Sequence, residues 1–223
     1  MNMFRAVLAI AITLSLAGCG NRPDQGVFLK SVRSGALKKT TQGSTASPEQ
    51  VVAEVQASLA GTSAPVALVV LEGRSATAIL TRIEQNGVYE TWATPDRRTI
   101  TLRGDVVTAT RGLGNDLMSA NLGDSIALIS GRKEGSTTRV MRFLDGQNHT
   151  VELVLNCRYT RGGGKRVTAG ELKNVATTEM TETCSSGEQS ITNTYLVDGR
   201  GRLVQSRQWL SATSGHVLIQ MLR

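Results

Sequence analysis

The chain has 223 residues, 40% of them hydrophobic and 19% charged, with 25 Lys and Arg against 18 Asp and Glu for a formal charge of +7 and a sequence pI near 9.8. That length supports one domain, or two, with a sizeable buried core. Such a basic balance ordinarily suggests nucleic acid, but aromatics are only 4% and no basic stretch interleaves with rings on which bases could stack, so a nucleic-acid partner is set aside.

Residues 1–18 read as a lipoprotein signal peptide. Arg5 supplies the positive charge, 6–16 form an apolar stretch softened only by Thr13 and Ser15, and Leu16-Ala17-Gly18 precede Cys19. A bilayer-crossing helix needs about 20 residues, so this stretch is expected to be cleaved off rather than kept as a span. Leu-Ala-Gly-Cys is the pattern of bacterial lipoproteins, in which the thiol of Cys19 takes a diacylglycerol and its freed amine a further acyl chain such as palmitate. Two or more chains, at about 0.8 kcal/mol per buried CH2, give lasting attachment. Gly20 follows the cysteine in place of the aspartate that retains lipoproteins in the inner membrane, so the outer membrane, periplasmic face, is the expected location. Residues 19–46 read as a flexible tether carrying Arg22, Lys30, Arg33, Lys38 and Lys39 against Asp24. It is either a plain solvated linker or a means of touching anionic headgroups or an acidic polymer.

The rest, 47–223, is expected to be a single β domain with a leading helix at 47–61. Ser47 is a good N-cap, Pro48 suits the first helical position, Gln50 completes a capping box and Gly61 marks the stop. Val51, Val52, Val55 and Leu59 share one face at helical spacing. After Pro65, runs of Val, Ile, Leu and Thr are punctuated every 8 to 12 residues. Strands are expected at 66–71, 76–84 and 88–93, the last two flanking Asn86-Gly87 as a tight primed turn. Further strands are expected at 99–103, 106–110, 139–144, 149–157, 191–197, 203–210 and 216–222. The threonine-rich segment 167–184 reads as one long strand or two shorter ones. About ten strands in hairpin order predict an all-β, antiparallel meander that curls into a barrel-like or sandwich body. A membrane-spanning barrel would need aromatic girdles, and three Phe, three Tyr and two Trp are too few.

Chemistry is sparse. Cys157 and Cys184, in an oxidising compartment, are expected to form a disulfide closing a loop of about 28 residues and contributing about 3 to 4 kcal/mol. With His149 and His216 isolated, no zinc spacing arises, and neither a metal nor a cofactor is expected. Arg161-Gly162-Gly163-Gly164-Lys165-Arg166 resembles a phosphate loop, but Tyr159 and Arg166 stand where such a loop needs Gly and Ser or Thr, so a mobile basic hairpin loop is the expectation. Asp105, Asp116, Asp124, Asp145 and Asp198 mostly occupy turns, where aspartate bonds its own backbone. No nucleophile elbow or catalytic residue is identified, although two carboxylates brought together in space remain the way a glycosidase could arise. The segment that stands out holds Arg111, Gly112, Leu113, Gly114 and Asp116, a loop leaving the 106–110 strand and opening a short helical turn capped by Asn115 or Asp116. Read structurally, Leu113, Leu117 and Met118 plug one end of the β body, which is the favoured reading; read functionally, Arg111 and Asp116 present charge to a partner or a glycan, which makes this the candidate partner-binding loop.

With Cys19, the strand Thr99-Ile100-Thr101-Leu102-Arg103 and above all Ala109-Thr110-Arg111-Gly112-Leu113-Gly114 followed by Asp116-Leu117, the chain resembles the YjbF/GfcB family, the lipoproteins encoded with group 4 capsule and related exopolysaccharide genes. The resemblance implies an all-β periplasmic lipoprotein acting beside an outer-membrane barrel and other periplasmic proteins in polysaccharide assembly or export. It implies no catalytic residues. The expected function is therefore that of a non-enzymatic accessory factor, with a periplasmic glycan-processing enzyme and a structural envelope lipoprotein as alternatives. Polysaccharide is a candidate ligand, but with only Trp92, Trp209, Tyr89, Tyr159 and Tyr195 available as platforms a protein partner is favoured.

Overall fold

Hairpin after hairpin returns the chain beside the strand it has just left, because the turns between the apolar runs are short and rich in residues that accept a positive φ. The computed structural model describes residues 47–187 and 189–223; the signal peptide, Cys19 and the basic tether lie outside them. Twelve strands result: β1 Val66–Leu71, β2 Ala76–Asn86, β3 Tyr89–Ala93, β4 Thr99–Arg103, β5 Val106–Arg111, β6 Ser119–Asn121, β7 Gly135–Leu144, β8 Thr150–Ala169, β9 Leu172–Ser186, β10 Gln189–Asp198, β11 Leu203–Ser211 and β12 Gly215–Met221. They form one antiparallel sheet in the order β5-β4-β3-β2-β1-β12-β11-β10-β9-β8-β7-β6. Two meanders are thus zipped together by the first and last strands, Val69 opposite Ile219. The sheet curls into a nearly closed barrel, not a sandwich.

Alternation decides the two faces. On β8, Leu155, Cys157 and Tyr159 are buried while Asn156, Arg158 and Thr160 are exposed. The interior is therefore a packed core of Leu, Met, Val and Tyr and the outside is largely polar along this strand, the reverse of a lipid-facing barrel. Among the described residues no helix is long and apolar enough to cross a membrane.

Helix α1, Pro48–Gly61, opens on the expected capping box: Ser47 Oγ accepts from Gln50 N at 3.3 Å and Gln50 Oε1 accepts from Ser47 N at 2.8 Å. Val55 and Leu59 pack on Val66, Ile79 and Leu222. Val52, expected on the same face, is exposed; with one sheet face beneath it the helix buries a narrower stripe than its spacing allows. Arg223 holds the far end, Nη2 donating to Leu59 O at 2.7 Å, as cations favour helix C-termini.

Three local expectations are corrected, and one strand was not foreseen. The β2–β3 turn is Gly87-Val88, one residue later than Asn86-Gly87, because Asn86 pairs with Tyr89 and Gly87, at φ 58°, takes the first central position that a type II′ turn reserves for glycine. Residues 161–166 are not a hairpin loop. They continue β8 against β9, with a bulge between Arg161 and Gly164 that absorbs the glycines, and the reversal comes later, at Gly170-Glu171. The turn expected after Asn115 or Asp116 is not helical; the short helix is α2, Ser125–Ser130. β6 is the remaining strand that the turn pattern did not mark.

Cys157 and Cys184 sit directly opposite each other on β8 and β9 and are joined by a disulfide. Reduction is expected to cost about 3 kcal/mol and lower the midpoint of thermal unfolding by about 6–12 °C, measured by calorimetry with and without reductant. An unchanged midpoint would show that neighbouring packing already holds the two strands.

Candidate functional site

The loop between β5 and β6 closes the gap between the two end strands of the sheet. Thr110 N donates to Leu117 O at 2.9 Å and Met118 N to Arg142 O at 2.8 Å, so this loop stitches β5 towards β7. Asp116 is its clasp. Its Oδ2 accepts from Gly112 N at 2.8 Å, and its Oδ1 accepts from Leu113 N at 3.0 Å and from Thr110 Oγ1 at 2.9 Å. The chain can fold round the carboxylate because Gly112 and Gly114 adopt φ of 80° and 67°, a region open to glycine. Leu113 and Leu117 are buried and plug the barrel. Arg111 stays exposed but donates to Thr110 O and Leu117 O. Of the two charges expected to face a partner, Asp116 is spent on the loop itself and Arg111 alone remains at the surface.

Inside the barrel lies a polar cluster that sequence reading missed. Arg139 (β7), Tyr159 (β8), Glu182 (β9), and Asn193 and Tyr195 (β10) are all buried, Glu182 with no exposed surface. Arg139 Nη1 stands 2.9 Å from both oxygens of Glu182. The hydroxyls of Tyr159 and Tyr195 and Asn193 Nδ2 also donate to that carboxylate, and Ser125 of α2 lies 2.7 Å from the Tyr159 hydroxyl. Burial pushes the Glu182 carboxyl upward, but the Arg139 charge and the three other donors outweigh it, so it is held below its ordinary 4.5. Burial and the Glu182 charge drive both tyrosines upward. Among the described residues, Cys157, Glu182 and Cys184 form the one group of three candidate metal ligands within 4.8 Å. Joined as a disulfide, the cysteines offer no thiolate, and Glu182 is engaged by Arg139, so this is a structural cluster.

A third feature is open to solvent. The β2–β3 hairpin, the β4–β5 turn and the β10–β11 turn surround a cleft of about 200 Å³ lined by Arg82, Glu90, Asp105, Asp198 and Arg202 among others. Glu90 is paired with Arg82 at 2.6 Å and accepts from Trp92 Nε1 at 3.3 Å. Asp198 accepts from the backbone of Arg200 and Arg202 and from the Arg202 guanidinium at 2.9 Å. Asp105, at φ 63° in the tight turn, has no such partner: among the described residues its carboxylate accepts only from Leu203 N, at 3.3 Å. Burial, with Glu90 and Asp198 adding to it, pushes its pKa from 3.8 up to about 6. A carboxyl raised in the folded state loses stability as pH climbs from about 4 through 6. Asp105→Asn is therefore expected to stabilise the fold at pH 8, by about 1 kcal/mol after allowing for partial exposure, or about 2–4 °C in melting temperature. No gain is expected at pH 4; an equal gain at both would show that charge is not the cause.

The family model described as group 4 capsule polysaccharide lipoprotein gfcB, YjbF, matches residues 27–222. The chain belongs to the YjbF family. No curated protein matches it. Among solved structures, the hypothetical lipoprotein YmcC from Escherichia coli (K12) is 17% identical with a TM-score of 0.66, covering 92% of this chain and 98% of that one. An exported protein with a YmcC-like fold from Bacteroides fragilis NCTC 9343 is 6% identical with a TM-score of 0.31, covering 71% and 93%. At such identities the likeness to YmcC is one of fold.

In this YjbF-family chain, most of the rings that sequence reading offered as glycan platforms point elsewhere. Trp92, Tyr159 and Tyr195 are buried and only Tyr89 is broadly exposed. Tyr89 stands under the Arg103 guanidinium, 6.0 Å from its centroid.

Proposed function

We propose that this YjbF-family chain is an outer-membrane lipoprotein, held at the periplasmic face by acyl chains on Cys19, that acts as a non-enzymatic accessory factor in capsule or exopolysaccharide assembly or export. The family match over 27–222 carries this reading. The packed interior supports it, because a barrel filled by side chains serves as a docking module and not as a conduit. An export-machinery protein is the partner, met through the surface around the exposed Arg111 and the β5–β6 loop. A glycan-processing enzyme is disfavoured on chemical grounds. Glycoside hydrolysis uses two carboxyl groups, and of the three in the cleft Glu90 and Asp198 are committed to arginines, leaving Asp105 alone.

The experiment is complementation of a strain lacking the gene. The intact chain is expected to restore surface polysaccharide and incorporate a fatty-acid analogue in the outer-membrane fraction. Cys19→Ser is expected to lose the label and the polysaccharide together, and Arg111→Glu to keep the label and lose polysaccharide. Full polysaccharide from the unlabelled Cys19→Ser protein would remove the anchor from the mechanism. Shortening of purified polysaccharide by the protein would restore the enzymatic alternative.

A further inference from the structure

The cleft beside Asp105 has the chemistry of a sugar subsite. Carboxylates and guanidiniums line it together: Glu90 paired with Arg82, Asp198 paired with Arg202, and Asp105 without a cationic partner among the described residues. Such groups accept from and donate to neighbouring hydroxyls, and charged partners form the stronger hydrogen bonds. Leu172, Val175 and Met221 supply an apolar wall against which the C–H face of a pyranose can lie. About 200 Å³ holds one sugar ring and not a chain.

Competing ligands fit less well. A metal ion needs ligand atoms converging on one point, and the one trio within 4.8 Å among the described residues is the cysteine–Glu182 set, not the cleft carboxylates. An acidic sugar would meet Asp105, whose carboxylate accepts among the described residues only from Leu203 N, while the third guanidinium of the lining, Arg223, is taken by Glu171, so a neutral sugar is the better fit. Trp92 lines the cleft but is almost wholly buried, with its indole N–H on Glu90, so it offers little ring face for stacking and recognition is by hydrogen bonds at the ring's edge.

We propose that the cleft formed by Glu90, Asp105 and Asp198 with Arg82 and Arg202 binds a single neutral hexose or N-acetylhexosamine unit. This deepens the capsule reading and rests on it for the source of the sugar: the domain grips one residue of a polysaccharide while the β5–β6 loop meets the partner protein.

The test is titration of the full chain, in detergent micelles, with glucose, galactose, N-acetylglucosamine and glucuronate, following the two indole N–H resonances by NMR; Trp209→Phe assigns them. At least one neutral sugar is expected to shift the Trp92 signal saturably with a Kd of about 1–10 mM, the range of a few hydrogen bonds to a small ligand. Glucuronate is expected to bind about tenfold more weakly. Asp105→Asn and Arg202→Gln are each expected to weaken binding about tenfold, the scale of one charge-assisted hydrogen bond. Because Asp105→Asn is expected to melt no lower than the parent, lost binding there is not lost folding. No saturable shift with any sugar, undiminished binding by Asp105→Asn, or a shift produced by calcium in place of sugars would each overturn the proposal. A strain lacking the gene that fails to display polysaccharide, alongside a protein that binds no sugar, would sink this site and leave the capsule reading standing.

Discussion

Glu182→Ala is expected to lower the melting temperature by about 10 °C, because removing one partner of a buried pair leaves the other charged and unsatisfied, a loss of about 3–5 kcal/mol. Arg139 Nη1 would lose both carboxylate oxygens, and the hydroxyls of Tyr159 and Tyr195 and the Asn193 amide would lose their common acceptor. Arg139 Nε already lacks a partner among the described residues, so the guanidinium has no alternative in place. Replacing both charges together, Arg139→Met with Glu182→Leu, should recover the part of the loss due to the unpaired charge, since a well-packed apolar substitute is often as stable as a buried ion pair, while Tyr159, Tyr195 and Asn193 remain without their acceptor. Calorimetry of the two single variants and the double variant decides it; a double variant as unstable as the sum of the singles would mean that the network, not the charge imbalance, holds the strands. The cluster also sets an acid limit. With its folded pKa below the ordinary 4.5, Glu182 contributes its full stabilisation above about pH 4.5 and loses it as pH falls through the folded value. The double variant should therefore have the flatter stability profile on the acid side.

Asp116→Ala is expected to be the most damaging single change in the β5–β6 loop, at about 3 kcal/mol, since it deletes three hydrogen bonds to one carboxylate and frees two backbone donors. The melting temperature should fall by about 6–12 °C, and the buried Leu113 and Leu117 should become exposed, read as binding of a hydrophobic dye and faster proteolysis of the loop. Asp116→Asn keeps one acceptor oxygen and should lose about half as much. Equal losses would show that the full carboxylate is needed. If the loop also carries the partner contact, Asp116→Ala should lose surface polysaccharide at a temperature where the domain remains folded, and Arg111→Glu should do so with a smaller fall in melting temperature, since it gives up the guanidinium bonds to Thr110 O and Leu117 O and leaves the Asp116 clasp intact.

Hairpins were legible where the turn chemistry is local and unambiguous. Gly104-Asp105, both at positive φ, and Asp198-Gly199-Arg200-Gly201 give the same answer read alone or in the structure, because the backbone conformation they favour is the one the turn needs. The capping box of α1 is local in the same way. Gly162-Gly163-Gly164 is not: a glycine run serves a loop or a bulge equally well, and only pairing with β9 selects the bulge. The six residues of α2 are too few to show a helical period. Glu182 was hidden for another reason. Thr occupies both parities of β9, so neither face is marked, and only Met180 and Cys184, two residues to either side and both buried, signal that Glu182 points inward.

Local chemistry in the chain determined its strands, its leading helix, its all-β class and the loop that carries the family's mark, since those follow from periodicity, caps and turns a few residues wide. Closure of the sheet, the partners of Glu182 and the convergence of Glu90, Asp105 and Asp198 on one cleft were decided by the tertiary structure. They depend on strand pairing and on contacts between strands as far apart in sequence as those of Val107 and Gln208, 2.9 Å from backbone N to side-chain oxygen, and no short-range preference encodes which distant residue will stand opposite.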